Sequence, residues 1–130
     1  MHARKIQQVF TKGVTLLLAS FLSTAVVAAP PEATVREVSH LLDHVGQSGC
    51  EFYRNGIWFK GNLGQGHLRD KYEWMVRKDL ISVATDFIDK AASQSSATGL
   101  AYKVRCKGQE EMPTKQWLTE ELLRYRAALH

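Results

Sequence analysis

"CEFYRNGIWFKG" (residues 50–61) places a cysteine, four aromatic rings and an Asn-Gly pair within twelve positions. Asn55-Gly56 between two apolar-rich runs is a strong short hairpin signal, because a type I′ turn needs positive φ at both central residues. A two-residue turn pairs Arg54 with Ile57, Tyr53 with Trp58, Phe52 with Phe59 and Glu51 with Lys60. Directly opposed residues share a face of the sheet. One face therefore carries Cys50, Phe52, Ile57 and Phe59, with Arg54 at its turn end. The other carries Glu51, Tyr53, Trp58 and Lys60, whose opposed charges suit water.

"LAYKVRC" (residues 100–106) alternates in the same way: Leu100, Tyr102, Val104 and Cys106 against Ala101, Lys103 and Arg105. Its apolar face ends in a cysteine, as does that of the hairpin. Bridging Cys50 to Cys106 lays both faces on one core. Closing so long a loop stabilises by about 4 kcal/mol in the chain-entropy model. A redox-active pair would need the C-x-x-C spacing, and a two-cysteine metal site would need further ligands nearby. A structural disulfide is the expectation.

Helical periodicity surrounds these strands. In "PPEATVREVSHLLDHVGQS" (30–48), Val35, Val38, Leu41, Leu42 and Val45 share one face, and Gly46 and Gly49 close the segment. A second stripe, Leu68, Tyr72, Met75 and Val76, predicts a helix over about 65–78, its start delayed by the glycines of "GNLGQGHL". Ser82 reads as the N-cap of "VATDFIDKAAS", burying Val83, Phe87, Ile88 and Ala91. Pro113 and a capping Thr114 open the last helix, with Trp117, Leu118, Leu122, Tyr125 and Leu129 inward. "ASQSSATG" (92–99) is a loop. The expected fold is α+β: a three-stranded antiparallel sheet packed by about four helices, with one disulfide.

The N-terminus reads differently. Arg4, Lys5 and Lys12 precede the apolar run "VTLLLASFLSTAVV", which is shorter than the roughly 20 residues of a membrane span. "AVVAAPPE" follows with small residues. Together these predict a secretory signal peptide over residues 1–28 and a single domain over 29–130. Cleavage after Ala29 would leave Pro30 directly beyond the bond, so Ala28 is the better site. The chain's net charge of +4 then falls to about +1, since 14 basic residues remain against 13 acidic ones. A nucleic-acid partner loses its electrostatic support, and no stable membrane span remains after cleavage.

The segments "SGCEFYRNG", "HLRDKY", "ATDFIDKAASQSSATG", "AYKVRC" and "WLTEELLRYR" resemble the YfeK-like family of small exported Gram-negative proteins, a domain of unknown function. The likeness covers nearly all of 29–130 in order, with both cysteines in place. It implies a periplasmic protein and supplies no catalytic residues.

Other constellations are weaker. His40 and His44 are four apart, but both point away from the apolar stripe, only Asp43 is near as a third ligand, and "HLLDH" is not the H-E-x-x-H protease motif. Solvated histidines are expected, with neither metal nor cofactor. His67, Lys71, Trp74 and Lys78 form a boundary stripe that can line a groove or pack its stems down. Ser93, Ser95 and Ser96 lack a G-x-S-x-G elbow. The ligand-binding candidates are Tyr53, Trp58, Lys60, Lys103 and Arg105, aromatics beside cations on the outer sheet face. They suit a noncatalytic binding or interaction module meeting an envelope component or a protein partner. The alternatives are a structural accessory subunit of an envelope complex, hinted by Leu123, and an enzyme with an unrecognised site involving His67.

Overall fold

Asn55 and Gly56 take φ of 51° and 89°, the left-handed pair that a type I′ turn demands. The computed structural model describes residues 12–24 and 28–130. The turn joins β1 (Glu51–Arg54) to β2 (Ile57–Lys60) in the register read from the sequence, Glu51 to Lys60 through Arg54 to Ile57. β3 (Lys103–Arg105) pairs antiparallel with the other edge of β1, setting Glu51 against Arg105 and Tyr53 against Lys103.

The sheet has four strands rather than three. β4 (Met112–Pro113) pairs with β3 and completes the order β2-β1-β3-β4. Two residues ending in a proline carry no alternation to detect, and proline is tolerated there because β4 is an edge.

One register step beyond Glu51 and Arg105, Cys50 and Cys106 face each other with Cα atoms 4.4 Å apart and are joined as a disulfide. That spacing belongs to a non-hydrogen-bonded cross-strand pair. The bridge thus ties β1 to β3.

Among the described residues four helices complete the α+β fold: α1 (Glu32–Gln47), α2 (Gly61–Arg77), α3 (Ala84–Asp86) and α4 (Thr114–Ala128). Helix α3 runs on as a π-helical turn, Phe87–Ala91, in which the Ala92 N–H reaches back to the Phe87 carbonyl at 3.1 Å. Val38, Leu41, Leu42 and Val45 of α1 meet Phe52, Leu68, Phe87, Ile88, Val104, Leu118 and Leu122 in one core.

Several expectations change for local physical reasons. Helix α2 starts at Gly61, directly after β2, and is not delayed. A Cβ on Gly61 would lie 2.6 Å from the Val45 carbonyl oxygen, and one on Gly64 3.4 Å from the Phe52 ring. These glycines let α2 approach α1 and the hairpin closely.

Ser82 does not cap α3. The Asp86 carboxylate accepts from the backbone N–H of Ser82 and Val83 at 2.9 and 3.2 Å, and those two bonds hold its pKa below the ordinary carboxylate value. Val83 stays extended before the helix and exposed. Thr34 replaces Val35 in the core, its hydroxyl donating to the Ser82 carbonyl at 2.8 Å. Leu100 lies in the loop before β3, and Ile57 adjoins the hairpin turn; both are exposed. Thr114 belongs to the first turn of α4 and is buried, with Pro113 in the cap position.

Residues 13–24 carry no regular structure and are exposed, while the basic residues Arg4 and Lys5 and positions 25–27 of the expected signal lie outside the described residues. Among the described residues no helix is long and apolar enough to cross a membrane.

Candidate functional site

On the outer sheet face, alternation brings four of the five sequence candidates together. The Tyr53 and Trp58 rings lie 5.3 Å apart, centroid to centroid. Lys103, opposite Tyr53 in β3, holds its ammonium 5.1 Å from the Tyr53 ring, and the Arg105 guanidinium sits 3.9 Å over Trp58. Arg105 also donates to Glu51 at 3.2 Å, and Lys103 pairs with Glu111 at 3.7 Å. Both rings are half-buried beneath these cations. Lys60 is exposed at the end of β2 and has no ion-pair partner among the described residues. The face is a ladder of cation–π and charge pairs in which Lys103 and Arg105 are already partnered.

The inner face is different. Arg54 alternates with Phe52, so a guanidinium joins the apolar side of the hairpin. A pocket of about 250 Å³ opens there between the hairpin and the first turns of α2. Phe52, Phe59, Leu63 and Leu68 give it apolar walls, and Arg54 and His67 give it polar ones. Tyr102 and Thr114 also line it, both buried.

A hydrogen-bonded chain runs along its edge. The Lys71 ammonium donates to the Gln94 carbonyl at 3.0 Å and to the Tyr102 hydroxyl at 3.2 Å. That hydroxyl lies 3.1 Å from His67 Nε2. An ammonium only donates, so the arrangement satisfying all three groups sends the Tyr102 proton to Nε2 and leaves neutral His67 with its proton on Nδ1. Burial lowers the His67 pKa, reinforced by Arg54 and Lys71 and opposed by Asp70. Burial followed by Arg54 lowers that of Lys71. Burial raises the Tyr102 pKa against the pull of Arg54. Three groups thus feel the Arg54 charge.

Two features mark the pocket as unfinished. Arg54 and Lys71 have no carboxylate partner among the salt bridges of the described residues. Among the described residues the buried Thr114 Oγ1 has no hydrogen-bond partner. The lining holds no serine, cysteine or carboxylate, and its polar groups present hydrogen-bond donors and positive charge.

Sequence reasoning had His67 and Lys71 in a boundary stripe but did not join them to Arg54, Tyr102 and Thr114. An arginine on an apolar hairpin face was the available signal. Trp74, next on that stripe, is exposed with the Lys78 ammonium 5.8 Å from its ring.

The other constellations resolve as structure. His40 and His44 are only partly solvated: they stack on Tyr125 and Trp117 at 4.1 and 4.3 Å. His40 Nε2 lies 2.8 Å from Glu121. Burial lowers the His44 pKa against the pull of Glu121, and burial acting to raise the Glu121 pKa is overcome by its bonds to His40 and Arg124. Among the described residues no cluster of three or more His, Cys, Asp or Glu side chains can hold a metal ion. Ser93 donates to the Ile88 carbonyl, and Ser95 accepts from the Asn55 amide at 3.1 Å, latching its loop to the hairpin turn.

Fold and site together define a small disulfide-tied α+β domain with an apolar pocket rimmed by cations. The chain belongs to a family of unknown function (DUF5329), whose model matches residues 32–126. That match carries neither the YfeK-like likeness nor an exported location. No curated protein and no solved structure matches the chain.

Proposed function

We propose that the chain is an exported, noncatalytic binding module that holds a small, largely apolar ligand in the pocket between the hairpin and α2. The observation that carries this reading is the pocket itself: a concave apolar site with a few convergent polar groups is the usual form of a small-molecule site. Export to the periplasm rests on the basic start, short apolar run and small-residue junction of residues 1–28, and on the YfeK-like likeness. A protein recovered from periplasmic extract that begins at Ala29 supports it; one retaining residue 1 counts against it.

Binding is tested by titrating octan-1-ol into the disulfide-bonded protein and following amide shifts. The expected changes cluster at Phe52, Arg54, Gly64 and Leu68. No change, or change confined to the outer face, would sink the reading.

A second reading uses the outer face, because Tyr53 and Trp58 keep part of their rings in solvent beside Lys60, Lys103 and Arg105. It predicts that Trp58→Ala weakens retention on envelope material. A structural accessory role draws on Leu123, which is 60% exposed on α4. Sedimentation as a monomer both alone and with envelope extract counts against that role.

A further inference from the structure

We infer that the pocket selects an amphipathic organic anion, a medium-chain monocarboxylate whose head meets Arg54, with Lys71 adding positive charge from behind Tyr102, and whose tail lies against Phe52, Phe59 and Leu68. The inference rests on the binding reading above and adds the chemical class of the ligand. Its basis is the imbalance of charge. Arg54 is half-buried in the wall, and Lys71 gives its hydrogen bonds to neutral acceptors, the Gln94 carbonyl and the Tyr102 hydroxyl. Partly desolvated cations without a counter-charge are costly, and a ligand carboxylate supplies it. The guanidinium fork matches a carboxylate with two parallel hydrogen bonds.

Size and polarity fix the rest. At roughly 30 Å³ per non-hydrogen atom, the share a water takes in the liquid, 250 Å³ holds about eight such atoms, so a chain of octanoate's length fills the pocket and leaves its tail end at the mouth. Thr114 also lines the pocket, and among the described residues its buried hydroxyl has no hydrogen-bond partner. His67 adds a proton-dependent charge beside the head group. Occupation by an anion favours its protonated form, so carboxylate affinity rises as pH falls through the range in which His67 takes up its proton.

The experiment compares octanoate, octan-1-ol and octylamine on the disulfide-bonded protein by calorimetry, with amide shifts to locate each. Octanoate is expected to bind at least tenfold more tightly than either analogue, in the pocket. Arg54→Gln should bring octanoate down to the octanol level measured on the same variant. Because the three-ligand comparison needs no variant, a poorly folded Arg54→Gln protein does not remove the test; Lys71→Gln then serves as the second variant, with at least a threefold loss for octanoate alone. If octanol or octylamine matches octanoate within the pocket, the anion inference is wrong while the binding reading stands. If none of the three perturbs the pocket, both are wrong.

Discussion

His67 Nε2 lies 3.1 Å from the hydroxyl of Tyr102, and the Lys71 ammonium donates to that same oxygen at 3.2 Å. One buried oxygen therefore organises two groups from α2 against the strand side of the pocket. Tyr102→Phe keeps the ring and deletes the oxygen. The expected outcome is a folded protein destabilised by about 1–2 kcal/mol, because both partners lose a bond in a partly desolvated place. Urea denaturation of the two proteins measures it, and an unchanged midpoint counts against the network.

Acid should weaken the fold. Burial, with Arg54 and Lys71, depresses the His67 pKa; burial, with His40 and Arg124 opposing Glu121, depresses that of His44. The unfolded chain then binds more protons than the folded one below the ordinary histidine value of about 6.5. The stability these residues contribute is present above that value and is lost as pH falls through their lower folded values. The urea midpoint is expected to drop between pH 7.5 and 5.5, and less so in a His44→Gln, His67→Gln double variant. A midpoint that rises on acidification contradicts the assignment.

Removing the disulfide tests the tie between β1 and β3. Cys50→Ala with Cys106→Ala is expected to cost about 2–5 kcal/mol, the usual range for a small domain that loses its bridge. Reductant should lower the wild-type midpoint and leave the double variant where it is. A loss below about 1 kcal/mol would show that strand pairing does not depend on the link.

Two glycines of one helix should respond in opposite directions. A Cβ on Gly61 meets the Val45 carbonyl at 2.6 Å, whereas one on Gly66 meets nothing within 4 Å. Gly61→Ala is expected to destabilise by about 1–3 kcal/mol through backbone displacement. Gly66→Ala should stabilise by up to about 1 kcal/mol through helix propensity. Thermal melts of both variants check the sign. Equal effects would remove the argument that α2 is docked through Gly61.

The hairpin and its disulfide were legible because local chemistry specifies them. Asn55-Gly56 sets the register, and alternation then puts Cys50 and Cys106 on one face. β4 escaped notice because two residues ending in Pro113 have no period. The start of α2 was misplaced because Gly61 and Gly64 read as helix breakers, while in the fold they are points of close approach. The pocket was illegible as a unit because Arg54, His67, Tyr102 and Thr114 come from separate segments that only the tertiary fold assembles. Tyr53 and Trp58 were placed on the correct face by alternation, but sequence could not show that Lys103 and Arg105 cover their rings.

The pocket's role as a ligand site is tested most directly by isotope-filtered NOE measurements on the protein with octanoate. Contacts from the tail protons to the Leu63 and Leu68 methyls and to the Phe52 ring are predicted, with none to Trp58. Contacts to Trp58 alone, or saturating octanoate without any contact to these pocket residues, would contradict the account.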